Sequence, residues 1–304
     1  MLDYGWRSGV TIMAEHQIRF EDGAAYEQYM GAWSRLAGRV FLDWLAPPVG
    51  LHWIDVGCGN GAFTELLVER CAPASIDGVD PSDEQLAFAR SQPAGKLARY
   101  HKGDAMALPF ASGVFDAAVM ALVIFFVPDP AKGLAEMARV VKPGGSVSAY
   151  AWDVVGGGLP TAPIQIEMRA MELNPPRPPS FEISRIEALQ RLWKDSGLID
   201  VEAREITITR TFADFEDFWR ISLLTPAIGP IVAKMTAEDA RQLQERVRVR
   251  LPADQDCKML QAGARLSWKF DDPPRLRPNR INKRLDRSQR GDRVGCIDDR
   301  KCRN

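Results

Sequence analysis

The chain has 304 residues, 46% of them hydrophobic and 26% charged, with a formal net charge of −1. That balance suits a globular protein with room for one large α/β domain and excludes a fibre or a wholly disordered chain. The charge is uneven: residues 275–304 hold eleven Lys or Arg against four Asp or Glu, which leaves −8 for the rest, and an acidic body argues against a nucleic-acid groove across the main domain.

Five cysteines, Cys58, Cys71, Cys257, Cys296 and Cys302, are odd in number and lack paired metal-ligand spacing. They are expected as reduced thiols of a cytoplasmic protein that binds no metal. The first sixteen residues lack the cationic flank and continuous apolar core of a secretory signal. The longest apolar run, residues 117–127, is far short of the ~20 residues of a membrane span.

In chain order, residues 18–46 place Tyr26, Tyr29, Met30, Trp33, Leu36, Val40, Phe41 and Trp44 at helical spacing, which predicts one or two helices before the first strand. Such a stripe reads as core, while Tyr26, Tyr29 and Trp33 are also placed to lid a neighbouring pocket. Trp53, Ile54 and Val56 then form a short apolar run that ends in glycine, as a buried parallel strand does. Gly57, Gly59 and Gly61 follow, and Phe63, Leu66 and Leu67 share one face of the next helix.

A strand, a glycine turn and a helix N-terminus make a site for a ligand that approaches the main chain closely. Gly57, Gly59 and Ala62 satisfy the dinucleotide fingerprint, whereas Asp55 with Gly57, Gly59 and Gly61 satisfies the acidic, alternating-glycine pattern of S-adenosylmethionine (SAM) sites. This stretch alone leaves both open.

Ile76 and Val79 form a second strand ending at Asp80, with Ser82 capping the helix behind it. A carboxylate there can accept from both hydroxyls of a ribose. A third strand ends at Gly103 and Asp104, whose carboxylate can accept from an adenine amine; His101 on it reads as a half-exposed strand residue. Residues 115–126 supply a continuous apolar fourth strand. Asp129 and Pro130 start a helix, residues 143–145 break it, and residues 147–152 form a fifth strand. Five strands alternating with helices predict right-handed crossovers and a parallel sheet with its ligand at the strand C-terminal ends.

The sequence resembles the class I SAM-dependent methyltransferases, in the small-molecule branch similar to ubiquinone and menaquinone C-methyltransferase-like (methyltransferase type 11) proteins. Four motifs carry the resemblance over roughly residues 40–152: DVGCGNG at 55–61, GVDPSDEQLAFAR at 78–90, GDAMALPF at 103–110 with FDAAV at 115–119, and VKPGG at 141–145. It implies SAM as cofactor, with S-adenosylhomocysteine (SAH) as product, and a doubly wound, mostly parallel sheet of the seven-stranded Rossmann-like type with helical insertions. It further implies that Asp55 and Gly57 hold the methionine part and that Gly59 lets the backbone close on the cofactor. Asp80 takes the ribose hydroxyls, Asp104 the adenine amine, and Ala105 offers backbone to the ring. Ala121 and Leu122 border the methionine end, and Tyr26 and Trp33 close the site. In-line attack on the sulfonium methyl needs chiefly alignment and exclusion of water. No catalytic residue is assigned; Asp153 is the one candidate base, with a plain strand-end turn as its other reading. The Asn-Pro-Pro-Tyr-type tetrapeptide is missing after the fourth strand, which argues against DNA-base and protein-amide acceptors. A non-catalytic SAM sensor or scaffold and an NAD-dependent oxidoreductase stand as alternatives.

The expected organisation is N-terminal helices over 1–46, a SAM-binding core over 47–152, completion of the sheet with a helical substrate cap over 153–252, and a poorly ordered basic tail over 253–304. Within the third part, residues 201–212 alternate like a strand with one wet face. Residues 213–250 read as two or three helices whose Phe215, Phe218 and Trp219 cluster, either as the cap over a small-molecule acceptor or as a homodimer face. After Pro252 the periodicity fades and arginine rises. A disordered tail, a nucleic-acid arm, and a change of reading frame near residue 255 are the readings. The last strand is therefore expected to be disrupted and the sheet edge underpaired.

Overall fold

The computed structural model describes residues 27–251 and 259–266, all within one compact unit, Met1–Pro273. Tyr26 and the tail beyond residue 266 lie outside the described residues.

A π-helical turn, Glu27–Gly31, runs into α1, Ala32–Leu45. Trp33, Ala37, Phe41 and Leu45, each four residues from the last, are buried along one side of α1, the spacing that brings side chains onto one helical face. β1 (His52–Val56) is buried from its second residue on and leads into α2 (Ala62–Cys71). β2 (Ser75–Asp80) leads into α3 (Asp83–Ser91), where the Ser82 hydroxyl accepts from the Gln85 N–H at 3.2 Å. β3 (Ala98–Lys102) and β4 (Phe115–Ala121) follow. Asp129 caps α4 (Pro130–Val140) by accepting from the Lys132 N–H at 3.1 Å.

β5 (Val141–Trp152) begins earlier than the sequence predicts. The helix does break, but residues 143–145 lie inside the strand as an irregularity: Phe115 pairs with Val141, and the register then shifts so that Ala117 pairs with Ser146. After β5 come α5 (Ala162–Ala170), α6 (Ile186–Asp195), β6 (Glu205–Thr211), α7 (Phe215–Ser222), a short α8 (Gly229–Val232) and α9 (Ala237–Arg250). β6 shows the expected alternation, with Ile206 and Ile208 buried.

The sheet has seven strands in the order β3-β2-β1-β4-β5-β7-β6, where β7 is Met259–Leu266. The first five neighbours pair in parallel, and β7 pairs antiparallel with both β5 and β6. The expected disruption of the last strand is therefore corrected. β7 lies beyond residue 255, and each of its residues from Met259 to Arg265 is matched to a β6 partner. Its signal is weak in sequence because a central antiparallel strand is defined by neighbours far away in the chain rather than by its own period.

The core holds large aromatic side chains. The Phe41 ring lies 4.8 Å from that of Tyr150 on β5, and Phe63 on α2 is 5.7 Å from Tyr150, so α1 and α2 are seated on the sheet through one tyrosine. Burying a side chain such as Phe41, which is 0% exposed, stabilises by about 1.5–3 kcal/mol.

Candidate functional site

In an open sheet with this strand order, β2 leaves β1 on one side and β4 lies on the other, so a crevice opens at their C-terminal ends. The glycine turn sits there. The N–H groups of Gly57 and Cys58 donate to the Val79 carbonyl at 2.7 and 3.0 Å, which stitches the turn to the end of β2. Gly57 has φ +77°, and a Cβ built on it would lie 2.5 Å from both γ carbons of Val123. Gly59 has φ +51°, and a Cβ there would meet nothing closer than 4.0 Å. Gly57 is thus required by close packing from Val123 in the segment after β4, while Gly59 presents its backbone to open space.

Three carboxylates stand at the ends of the neighbouring strands β1, β2 and β3. Asp55, near the end of β1, is fully buried; its Oδ2 accepts from the Thr64 hydroxyl at 2.7 Å, and its Oδ1 finds no partner among the described residues. Burial pushes its carboxyl up to about 7; the Thr64 hydrogen bond opposes that rise and the nearby Asp80 charge adds to it. Asp80 ends β2. Its Oδ2 accepts from the Gly59 N–H at 3.0 Å and its Oδ1 from the Ser82 N–H at 2.9 Å, and burial raises its pKa against those two hydrogen bonds. Asp104, just past β3, is exposed and accepts from the Met106 N–H at 2.8 Å. The Gly103 N–H donates to the Asp80 carbonyl at 3.1 Å, so the ends of β2 and β3 are joined. Ala105 is partly buried beside them.

On the other side of the crevice, Ala121 ends β4 partly exposed, and Leu122 takes φ +63°. A left-handed leucine is uncommon and is held only where the surroundings fix it. Here its N–H donates to the Tyr150 carbonyl at 2.9 Å, and its side chain is 4% exposed. The turn at Leu122 aims Val123 at Gly57.

Trp33 does not close the crevice. It is 1% exposed and packs edge-on against Trp152 at 6.0 Å and against Phe212 at 6.3 Å, with the Arg210 guanidinium 5.9 Å from its ring. Its role is to join α1 to the sheet, which corrects its expected place as a lid. Tyr26, the other expected lid residue, lies outside the described residues. Asp153 accepts from the Gly156 N–H at 2.7 Å, the turn reading of that residue. His101 Nε2 lies 2.7 Å from Asp77 Oδ1, and Arg99 also pairs with Asp77, an arrangement along the β2–β3 edge. No group of three or more His, Cys, Asp or Glu suited to a metal occurs among the described residues.

Three contributors were missed in the sequence. Asn60, 2% exposed within the glycine turn, donates from Nδ2 to Glu27 Oε2 at 2.8 Å, and its Oδ1 accepts from the Ala62 N–H at 3.2 Å. Glu27 also pairs with Arg35, which reaches Glu65 at 3.3 Å. The N-terminal turn is therefore tied to the glycine turn by polar contacts rather than by the aromatic stripe. Val123, the third, carried no signal beyond belonging to an apolar run. Asn60 lies inside the DVGCGNG motif, where a lone amide among glycines is a local signal; the Glu27 partnership spans 33 residues and has no local signature.

Residues 54–149 match a family model described as a methyltransferase domain. Over 178 residues the chain is 29% identical to a demethylmenaquinone methyltransferase of Staphylococcus aureus, covering 52% of this chain and 72% of the relative. Among solved structures, a putative methyltransferase from Bacillus halodurans aligns with a TM-score of 0.54 at 16% identity, over 78% of this chain and 99% of that one. A Haemonchus contortus phosphoethanolamine N-methyltransferase 2, in complex with phosphomonomethylethanolamine and SAH, aligns with a TM-score of 0.51 at 19% identity, over 82% and 57% of the two chains. Both structural likenesses are likenesses of fold.

Proposed function

We propose that this chain, whose core is a class I SAM-dependent methyltransferase domain acting on a small molecule, holds its cofactor in the crevice between β1 and β4 through Asp55, Gly57, Gly59, Asp80, Asp104, Ala105, Ala121 and Leu122. The observation that carries the assignment is the pair Gly59 and Asp80: an N–H and a carboxylate oxygen 3.0 Å apart, beside a glycine whose missing side chain leaves open space. The chemistry of the donor set fits the group. SAM offers an ammonium, a vicinal diol and an aromatic amine, all hydrogen-bond donors, and the crevice offers carboxylates at three neighbouring strand ends. The unpartnered Oδ1 of Asp55 is an acceptor waiting for a donor, since a buried carboxylate oxygen without one is costly.

When bound, SAM supplies a methyl group activated by its sulfonium for in-line displacement. The protein's contribution is positional. Asp55 would take the ammonium end, which would favour its ionised form; Asp80 would take the diol, Asp104 the amine, and Ala105 would offer backbone to the ring. Ala121 and Leu122 form the wall next to the methionine end, and the buried flank of β4 keeps water away. Alignment of donor and acceptor supplies the rate enhancement. Asp153, engaged in its turn, is given no proton-transfer role. The acceptor is a small molecule, as for the S. aureus relative that bears the name of a quinone methyltransferase. Among the described residues no helix is long and apolar enough to cross a membrane, and Cys58 and Cys71 are free and buried, which supports a cytoplasmic setting.

The test is Asp80→Ala, read by calorimetric titration with SAM and SAH. Losing hydrogen bonds to a charged acceptor is worth about 1.5–3 kcal/mol, so both ligands are expected to bind roughly 10- to 100-fold more weakly, and the melting temperature should fall as the Gly59 and Ser82 N–H groups lose their acceptor. Unchanged affinity refutes the assignment.

A further inference from the structure

The stretch that follows β5 carries two arginines without a counter-charge. Arg169, in the last turn of α5, is half-buried; Arg177, further on, is exposed and holds its guanidinium 4.9 Å from the Phe181 ring. Arg169 donates to Gln165 Oε1 at 3.1 Å, a neutral acceptor. Burial and then the charge of Arg177 push the Arg169 guanidinium down, and no carboxylate opposes them. Neither arginine has an ion-pair partner among the described residues. A helix C-terminus and an aromatic face each favour a cation weakly, but neither neutralises one. The same helix shows the contrast. Glu167, 5% exposed, accepts from Arg246 Nε at 2.7 Å and from Arg250 Nε at 2.6 Å, so the carboxylate of α5 is engaged by α9, and residues two apart on a helix face different ways. Two like charges held together at a half-buried position are unfavourable until an anion joins them.

Two sets of contacts tie these arginines to the crevice. β5 runs parallel to β4, so the chain leaves Trp152 on the side where β4 ends at Ala121. Past Arg177, Ser180 fastens the chain to the segment after β4: its N–H donates to the Phe125 carbonyl at 3.0 Å and its hydroxyl to the Val127 carbonyl at 2.7 Å. That is the segment whose Val123 meets Gly57. Behind Arg169, Gln165 Nε2 donates to the Thr161 hydroxyl at 3.2 Å, and Thr161 meets the Tyr29 phenol. The turn that carries Tyr29 also carries Glu27, which accepts from Asn60 of the glycine turn at 2.8 Å. Each arginine is thus joined to a different wall of the donor site.

We propose that Arg169 and Arg177 bind an oxyanion carried by the methyl acceptor, which makes the substrate a small organic anion, a carboxylate or a phosphate ester. The proposal rests on the methyltransferase reading and goes beyond it by giving the acceptor a charge. A planar guanidinium matches an oxyanion in shape as well as in sign. The crevice itself holds Asp55, Asp80 and Asp104, whose charges repel an anion, and a local pair of cations is what lets one approach. Arg169, fixed by Gln165, is the principal contact, and Arg177 adds to it from the solvent side.

Calorimetric titration of the full chain, saturated with SAH, tests this with phenylacetate, phenyl phosphate and the neutral phenylacetamide. Saturable binding is expected for at least one anion and weaker binding for the amide; the better of the two anions identifies the oxyanion as carboxylate or phosphate. Arg169→Gln should weaken the preferred anion about tenfold or more, the range of a charge-assisted hydrogen bond, and Arg177→Gln about two- to fivefold, as suits an exposed charge. Neither should alter the binding of the amide or of SAH. Arg185→Gln, which removes an arginine already paired with Glu182, should leave every affinity unchanged. Without ligand, Arg169→Gln should melt no lower than the native protein, because it relieves a repulsion, whereas a merely structural arginine would lower the melting temperature on removal. Binding of neither anion, equal affinity for the amide, anion binding indifferent to Arg169→Gln, or a destabilised Arg169→Gln protein each overturns the proposal. Failure of SAH to bind the native protein would instead defeat the donor-site reading, since the anions are also titrated without SAH, where their dependence on Arg169 should persist.

Discussion

Gly57 and Val123 meet across the crevice between β1 and β4, close enough that a single added methyl group at position 57 would fall 2.5 Å from both methyls of the valine. The contact locks the glycine turn against the loop after β4. Gly57→Ala meets two obstacles at once, the overlap with Val123 and a φ of +77°, and left-handed backbone at a non-glycine residue costs on the order of 1 kcal/mol or more. A large loss of SAM affinity with a lowered melting temperature is expected. The double variant Gly57→Ala with Val123→Ala should recover part of the loss, because it removes the overlap and not the φ penalty. Full recovery or none at all would contradict this account.

Asp55 gives a pH dependence with a definite sign. Its folded-state pKa is raised to about 7 from an ordinary 3.8, so between those values the folded protein holds a proton that the unfolded chain has lost. Stability contributed by this group is present at low pH and is lost as pH climbs toward 7, at about 1.4 kcal/mol per unit. Relative to Asp55→Asn, the ligand-free protein should therefore lose melting temperature between about pH 4 and 7. SAM binding should show the reverse trend and strengthen as pH rises through 7, since its ammonium needs the ionised carboxylate. A flat difference between the two proteins across that range would show that Asp55 is not the group titrating.

Asn60 and Glu27 should matter together. Asn60→Ala removes the 2.8 Å contact to Glu27 and the 3.2 Å contact to the Ala62 N–H, and a cost of about 1–3 kcal/mol in stability is expected for a buried pair. Glu27→Gln should cost less, because an amide oxygen can still accept from Asn60. In a double-mutant cycle the two sites should couple. Additive effects would mean that the N-terminal turn is not held on the glycine turn by this pair. Thermal melts with and without SAH read both quantities.

Truncation tests β7. A chain ending at residue 273 keeps the strand that fills the gap between β5 and β6, whereas one ending at residue 258 removes it and exposes two unpaired strand edges. The shorter chain should melt lower and associate through its open edges; the longer one should match the full chain in melting and in SAH binding. Equal behaviour of the two truncations would refute the role of Met259–Leu266 in the sheet.

By itself the sequence determined what is local. Asp55, Gly57 and Gly59 lie at the end of one strand, Asp80 and Ser82 at the end of another, and Asp104 at the end of a third, so period, turn chemistry and capping place each of them, and the parallel order of five strands brings those ends together. Trp33, Val123 and Glu27 were decided only by tertiary structure. A tryptophan at helical spacing looks the same whether it faces a ligand or a sheet, and only the arrival of Trp152 and Phe212 buries it. Nothing near Val123 in the chain says that its methyls will meet a glycine in the turn after β1, and nothing near Glu27 says that an asparagine 33 residues on will bond to it. β7 belongs to the same class. An antiparallel strand inserted between β5 and β6 takes its identity from two neighbours that lie far before it in the chain, and pairing at that distance leaves no periodic trace in the strand itself.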